Sequence, residues 1–302
     1  MILFAKSSVG YSHLDEGKPC QDASLLYQEG ELSLIAVADG HGGASYIRSD
    51  RGSKFACQAV QEVFSSIGPE ETIYPNKIKL QILCAWNALV ERDYGAHPFG
   101  EEEFAKLDED ERQDLVSRPE RAYGTTLMGA AKIGKRWVVA HIGDGESLVY
   151  KDGKVSPCFD DDDDEPVANV TYSMCNEDVL SHLKLGVIPL EYADFVLLCT
   201  DGAANPYQSY DNLCTSFVVP VLKELSKPDG MTSVEAFIDR LASSTGIGDD
   251  VSLGVIGLGP LPPEEEKKPE PAEEQPLSEI RRSISRIRYR IYPRFAFPKK
   301  SR

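Results

Sequence analysis

The chain predicts an α+β fold built in layers, with mainly antiparallel sheet, on three observations. Strand and helix patterns arrive in blocks instead of in strict alternation, several apolar runs stop abruptly at an Asp-Gly step, and 302 residues with a 41% hydrophobic share can bury a full core. Residues 2–9 and 32–38 read as strands; the second is the run Leu32, Ser33, Leu34, Ile35, Ala36, Val37, Ala38, which places Asp39 at a strand terminus. Over 45–67 the apolar positions Phe55, Ala59, Val63 and Phe64 recur at helical spacing, and over 76–91 Ile78, Ile82, Ala85 and Leu89 do the same. Residues 95–122, with Glu101 to Glu103 and Asp108 to Arg112, predict a polar surface excursion outside the core, with no role in function. Strand patterns return at 125–133, 136–142, 147–151, 195–200 and 251–256, with Lys151-Asp152-Gly153-Lys154 as a turn. Two more helices are expected at 212–225 and 233–244. From Gly259 to Pro276 proline and glutamate dominate and predict an extended linker, so the chain divides into a domain over 1–258, a linker over 259–276 and a tail over 277–302.

Composition narrows the function classes. Seven cysteines without a CxxC pair argue against a disulfide framework or zinc ribbon and for a reducing compartment. With no leader-like N-terminus and no run of eighteen apolar residues, a soluble cytoplasmic protein is expected. The net charge of −17 is uneven: residues 277–302 hold nine Lys and Arg against one acid, or +8, which leaves −25 on residues 1–276. Such a body repels nucleic acid and anionic lipid and suits divalent cations.

Four short motifs place an aspartate at the end of an apolar strand, followed by glycine or another acid: Asp39-Gly40-His41-Gly42-Gly43, Gly143-Asp144-Gly145, Thr200-Asp201-Gly202 and Gly248-Asp249-Asp250-Val251-Ser252. Alone, each is an ordinary turn. Together they put carboxylates where a rigid sheet presents them to one cleft, and repulsion there calls for hard cations such as Mg²⁺ or Mn²⁺. The chemistry this suggests is two-metal hydrolysis, with the Gly40 carbonyl as a further hard ligand.

In order, the motifs Gln21-Asp22-Ala23, Asp39-Gly40-His41-Gly42-Gly43, Gly124-Thr125-Thr126, Gly143-Asp144-Gly145, Thr200-Asp201-Gly202 and Gly248-Asp249-Asp250-Val251-Ser252 resemble the metal-dependent protein phosphatases of type 2C over residues 1–258. Gly10-Tyr11-Ser12-His13, Pro19-Cys20-Gln21-Asp22-Ala23 and Ala168-Asn169-Val170-Thr171 resemble the bacterial branch. The resemblance implies a four-layer α-β-β-α sandwich, two central antiparallel sheets with helices on both outer faces. It implies hydrolysis of phosphoserine and phosphothreonine on proteins by a water bridging two Mn²⁺ or Mg²⁺ ions, with a phosphoprotein substrate and a cognate kinase as partners. By motif, Asp39 bridges both ions, Gly40 binds one through its carbonyl, and Asp201 and Asp249 complete the other site. Asp22 holds metal-bound waters, Asp144 matches a third, weaker metal site, and His41 is the general acid.

The chain departs from the family pattern at several positions. Many eukaryotic members carry Glu where Gln21 stands and a phosphate-binding Arg a few residues earlier, where this chain has Gly17 and Lys18; Lys18 or His13 is then expected to hold the substrate phosphate. Asp250 replaces a common Asn and Gly145 a Ser, both expected at the surface of the metal site. The alternative function is a pseudophosphatase, a module that binds a phosphoprotein or partner without turnover. The retained set Asp39, Asp144, Asp201 and Asp249 favours the enzyme, and the missing arginine favours the rival.

Asp160 to Asp164 with Glu165 read as a solvated acidic loop, in the position of the family's variable flap, where it biases substrate choice toward basic phosphopeptides. His97, His141 and His182 lack metal-ligand spacing and read as structural. In the tail Leu277, Ile280, Ile284, Ile287 and Ile291, interleaved with Arg281, Arg282, Arg286, Arg288 and Arg290, form a basic amphipathic helix pattern that Pro293 stops. Its candidate occupants are a partner protein, the acidic body, a membrane surface and nucleic acid, with the first two leading.

Overall fold

The computed structural model describes residues 1–159 and 171–261, so the acidic run 160–165, residues 168–170, most of the linker and the whole basic tail lie outside the described residues. Ten strands form two antiparallel sheets of five. One has the order β1 (Ile2–Ser8), β10 (Val251–Gly257), β9 (Phe195–Cys199), β6 (Glu146–Lys151), β7 (Lys154–Pro157); the other runs β2 (Ala23–Glu29), β3 (Leu32–Ala38), β4 (Leu127–Ile133), β5 (Arg136–Ile142), β8 (Lys184–Pro189).

The unbroken apolar run of β3 follows from burial on both faces. Ile35 and Val37 meet Trp137, Val139, Val196, Leu198 and Ile256 between the sheets. Leu34, Ala36 and Ala38 face the other way, onto Ala56, Val60 and Phe64 of α2 (Ser49–Ser65) and Ile82 and Trp86 of α3 (Pro75–Ala96). On the far side Phe195, Leu197, Leu253 and Val255 pack on Val221 and Leu222 of α8 (Val219–Leu225) and Val234 and Ile238 of α9 (Gly230–Ala242). Three apolar seams therefore bind four layers, α-β-β-α.

Three strands lack a counterpart in the sequence reading: β2, β7 and β8. Each is the edge of a sheet, where one long side meets no partner strand and the alternation of apolar residues weakens; Leu26 in β2 is 46% exposed. The helix expected at 212–225 is found over 210–225, as α7 (Tyr210–Leu213) and α8 joined without a break by a wider, π-helical turn at Cys214–Val218. Pro220 stands in the first turn of α8, where its missing N–H cannot continue a regular ladder from α7.

The excursion 95–122 is a correction: it belongs to the core. Its helix α4 (Glu109–Ser117) starts with a reciprocal cap between Asp108 and Glu111, and Leu107, Leu115, Ala122 and Tyr123 are buried. One of the charges that suggested solvent exposure, Glu103, binds a buried cation instead. Arg48, 4% exposed, donates from Nε to Glu103 Oε1 at 2.7 Å and from Nη2 to Glu103 Oε2 at 3.0 Å. Its Nη1 donates to the His97 carbonyl and the Tyr123 hydroxyl, both at 2.7 Å, and Phe99 lies under its guanidinium. Truncating one partner of a buried charge pair leaves the other uncompensated, so Arg48→Ala is expected to cost about 3–5 kcal/mol in urea denaturation; a loss below about 1 kcal/mol would show the excursion to be independent of α2.

Candidate active site

Antiparallel register brings the aspartates together. Ala23 opposite Ala38 puts Asp22 beside Asp39, and Leu127 opposite Ile142 puts the start of β4 and the end of β5 on the same rim. In the other sheet Cys199 pairs with both Glu146 and Leu253, so the strand ends next to Asp144, Asp201 and Asp249 meet at one edge. The rims of the two sheets enclose a cavity of about 230 Å³ lined by His13, Asp22, Asp39, Gly40, His41, Asp144, Asp201, Asp249 and Asp250, with Gln21, Gly42 and Thr171 beside them. Eight of the nine site residues expected from sequence are therefore in one place. Lys18 is the exception: it is not among the lining residues and pairs with Glu16 at 2.6 Å.

Hydroxyl groups that the sequence reading left without a role fix the backbone and carboxylates. The Asp39 carbonyl accepts from Thr126 N and Thr125 Oγ1, both at 2.8 Å, while Asp39 N donates to Thr126 Oγ1 at 2.9 Å. Thr200 Oγ1 donates to Asp22 Oδ2 at 2.9 Å, and Thr171 Oγ1 to Asp144 Oδ2 at 2.6 Å. Asn205 Nδ2 donates to Asp201 Oδ2 at 3.0 Å. Gln21, where a family Glu is common, donates through Nε2 to Ser49 Oγ at 2.5 Å and to the His41 carbonyl at 3.2 Å. A Cβ on Gly40 would stand 2.6 Å from the carbonyl oxygens of Gln21 and Ser49, so only glycine fits there. Asp250 lines the cavity, as a replacement at the surface of the site would, and is itself buried.

The cleft is electrostatically loaded. Burial pushes Asp39 well above the usual carboxylate range, and the charges of Asp22, Asp201 and Asp144 push further. Asp22 and Asp201 are raised for the same leading reason, burial. Burial lowers the His41 imidazole, opposed by Asp144; its ring meets Tyr46 edge-on at 4.8 Å. Among the described residues no three Asp, Glu, His or Cys side chains close on one point as a ready-made ligand cluster. The carboxylates stand around the cavity instead, an all-oxygen donor set that fits Mg²⁺ or Mn²⁺ with part of their water retained.

Residues 9–239 of the chain match the family described as Protein phosphatase 2C. The chain belongs to the protein phosphatase 2C family. Membership makes it a protein serine/threonine phosphatase of a metal-dependent class that acts on phosphoproteins. Its fold is similar to the Mycobacterium tuberculosis serine/threonine phosphatase PstP/Ppp, with 18% identity, 86% of this chain and 100% of that chain covered, and a TM-score of 0.54. PppA, a regulatory component of the type VI secretion system in Pseudomonas aeruginosa, matches at 20% identity, 84% and 95% coverage and a TM-score of 0.54. The PstP catalytic domain in complex with two manganese ions matches at 18% identity, 84% and 96% coverage and a TM-score of 0.51. No curated protein sequence matches the chain. No helix among the described residues of this phosphatase is long and apolar enough to cross a membrane.

His141, at the rim, is a satisfied structural imidazole. Its Nε2 donates to the Gly143 carbonyl at 3.2 Å, which leaves Nδ1 to accept from Ser147 Oγ at 2.9 Å, and burial pushes its pKa down to about 4. A histidine held below its unfolded value contributes stability that is full above about pH 6.5 and falls as the unfolded state takes up the extra proton. Denaturation at stepped pH should therefore show the phosphatase losing about 3 kcal/mol more than His141→Gln between pH 7 and pH 4. Parallel profiles for the two proteins would place the shift elsewhere.

Proposed function

We propose that this phosphatase hydrolyses phosphoserine and phosphothreonine esters in the cleft between the sheet rims, with Asp22, Asp39, Gly40, Asp144, Asp201 and Asp249 as the metal-holding set. The observation that carries the reading is the gathering of these five carboxylates around one cavity of about 230 Å³, with Asp39 raised by burial and by three like charges. Asp39 would bridge two ions, with the Gly40 carbonyl on one and Asp201 and Asp249 on the other; Asp22 would order water and Asp144 hold a third, weaker ion. When bound, two divalent cations lower the pKa of a water between them and screen the phosphoryl charge. His41 would hand a proton to the departing seryl or threonyl oxygen; burial works against the protonated ring this needs and Asp144 works for it. Thr125 and Thr126 keep the Asp39 backbone from moving as charge shifts. We assign this activity to residues 1–258, with a protein phosphoester as substrate and a cognate kinase supplying it.

The test compares an aryl phosphate and a phosphothreonine peptide with Mn²⁺, with Mg²⁺ and with chelator. Turnover should need metal and should fall more than about a hundredfold in Asp39→Asn and in Asp249→Asn, since groups one layer outside metal ligands already cost that much. A folded, Mn²⁺-loaded protein without turnover would establish the pseudophosphatase reading instead. Chain lacking residues 260–302 is expected to retain metal-dependent turnover; a folded truncation that has lost it would move the domain boundary.

A further inference from the structure

Asp250 is 5% exposed, yet its carboxylate is saturated. Gly10 N donates to Oδ1 at 2.6 Å, Gln21 N and Asp22 N donate to Oδ2 at 2.6 and 3.3 Å, and His13 Nδ1 lies 2.9 Å from Oδ2. An ionised carboxylate only accepts, so the proton in the last contact sits on His13 Nδ1. The ring is carried by the short helix α1 (Tyr11–Glu16), which is pressed onto the segment before β10. Ser12 donates through N and Oγ to the Gly248 carbonyl at 2.9 and 2.8 Å. A Cβ on Gly10 would stand 2.4 Å from the Asp249 carbonyl carbon, so glycine permits the approach. With Nδ1 taken, His13 Nε2 is left without a hydrogen bond to any described residue. The ring lines the cavity with Asp39, Asp201 and Asp249; among the described residues no lysine or arginine lines it, and only His13 and His41 there can carry positive charge.

We propose that His13 binds the substrate phosphate through Nε2–H and that Asp250 is the positioning residue that holds it there, in place of an arginine. The inference rests on the phosphatase reading and adds the group that recognises the ester. Set between Asp250 on Nδ1 and a phosphoryl oxygen on Nε2, the His13 ring faces two acceptors and directs one hydrogen bond to the ester. Such a donor binds ground state and transition state alike, so its loss falls on KM more than on kcat.

The experiment uses the full chain loaded with Mn²⁺. His13→Ala is expected to raise KM for a phosphothreonine peptide, and the inhibition constant of inorganic phosphate, by about tenfold or more, as the loss of one charged hydrogen bond does, with a smaller fall in kcat. His13→Arg should recover most of both constants. Asp250→Asn should act in the same direction and add little in the His13→Ala background, because both changes remove the same contact. Should Asp250→Asn fail to fold, the His13 pair decides alone. Calorimetric titration of inorganic phosphate into the Mn²⁺-loaded wild type and His13→Ala gives the same readout without turnover. Weaker phosphate binding in the variant supports the assignment even if the peptide is not hydrolysed. Unchanged phosphate binding, a loss confined to kcat, or no rescue by arginine would overturn it while leaving metal-dependent turnover, and with it the phosphatase reading, intact.

Discussion

Carboxylates held a few ångströms apart with little water around them repel one another, and that repulsion governs how the rest of this phosphatase is built. Asp39 is pushed up by burial and by three neighbouring acids, so a loose scaffold would relieve the strain by letting the chains splay apart. The sandwich resists because each aspartate sits at or beside the end of a strand paired on both sides in four of the five cases, and both sheets are locked by the seam of Ile35, Val37, Trp137, Val196 and Leu198. Hydroxyls complete the restraint: Thr125, Thr126 and Thr200 bind backbone and carboxylate without adding charge.

Among the described residues no lysine or arginine lines the cleft, which leaves the carboxylates free for the ions they would hold. Gln21 braces the His41 carbonyl and Ser49, and Asp250 collects backbone N–H groups. Arg48, the most buried cation described, stays away from the aspartates and is consumed by Glu103, His97 and Tyr123. Its work is structural: it ties the segment before β4 to the start of α2, next to Ser49, whose carbonyl touches the Gly40 turn.

Much of this was legible in the residues. The β3 run and its abrupt stop located Asp39, and the repeated aspartate at strand ends located the cleft, because two-sided burial and tight turns leave strong local signatures. Edge strands β2, β7 and β8 were not legible, since one-sided pairing relaxes the pattern. Residues 95–122 misled for a different reason: the buried Arg48 recruits Glu103, one acid of a run whose other charges are solvated, and hides it from a reading of local pattern. Lys18 and His13 could not be separated by spacing alone; the difference lies in a side chain bonded to Glu16 against one bonded to Asp250. Nothing near Asp250 in the sequence announces that it draws together residues 10, 13, 21 and 22, a long-range convergence that only tertiary structure reveals.

The edges themselves carry a consequence for self-association. The last strand on one side of each sheet has the same composition at its ends: β7 begins at Lys154 and closes on Pro157, and β8 begins at Lys184 and closes on Pro189. A lysine disfavours docking of a second like-charged edge, and a proline offers no N–H to an incoming strand. Among the described residues, that flank of both sheets therefore carries features that work against continuation of the ladder by another strand at those positions.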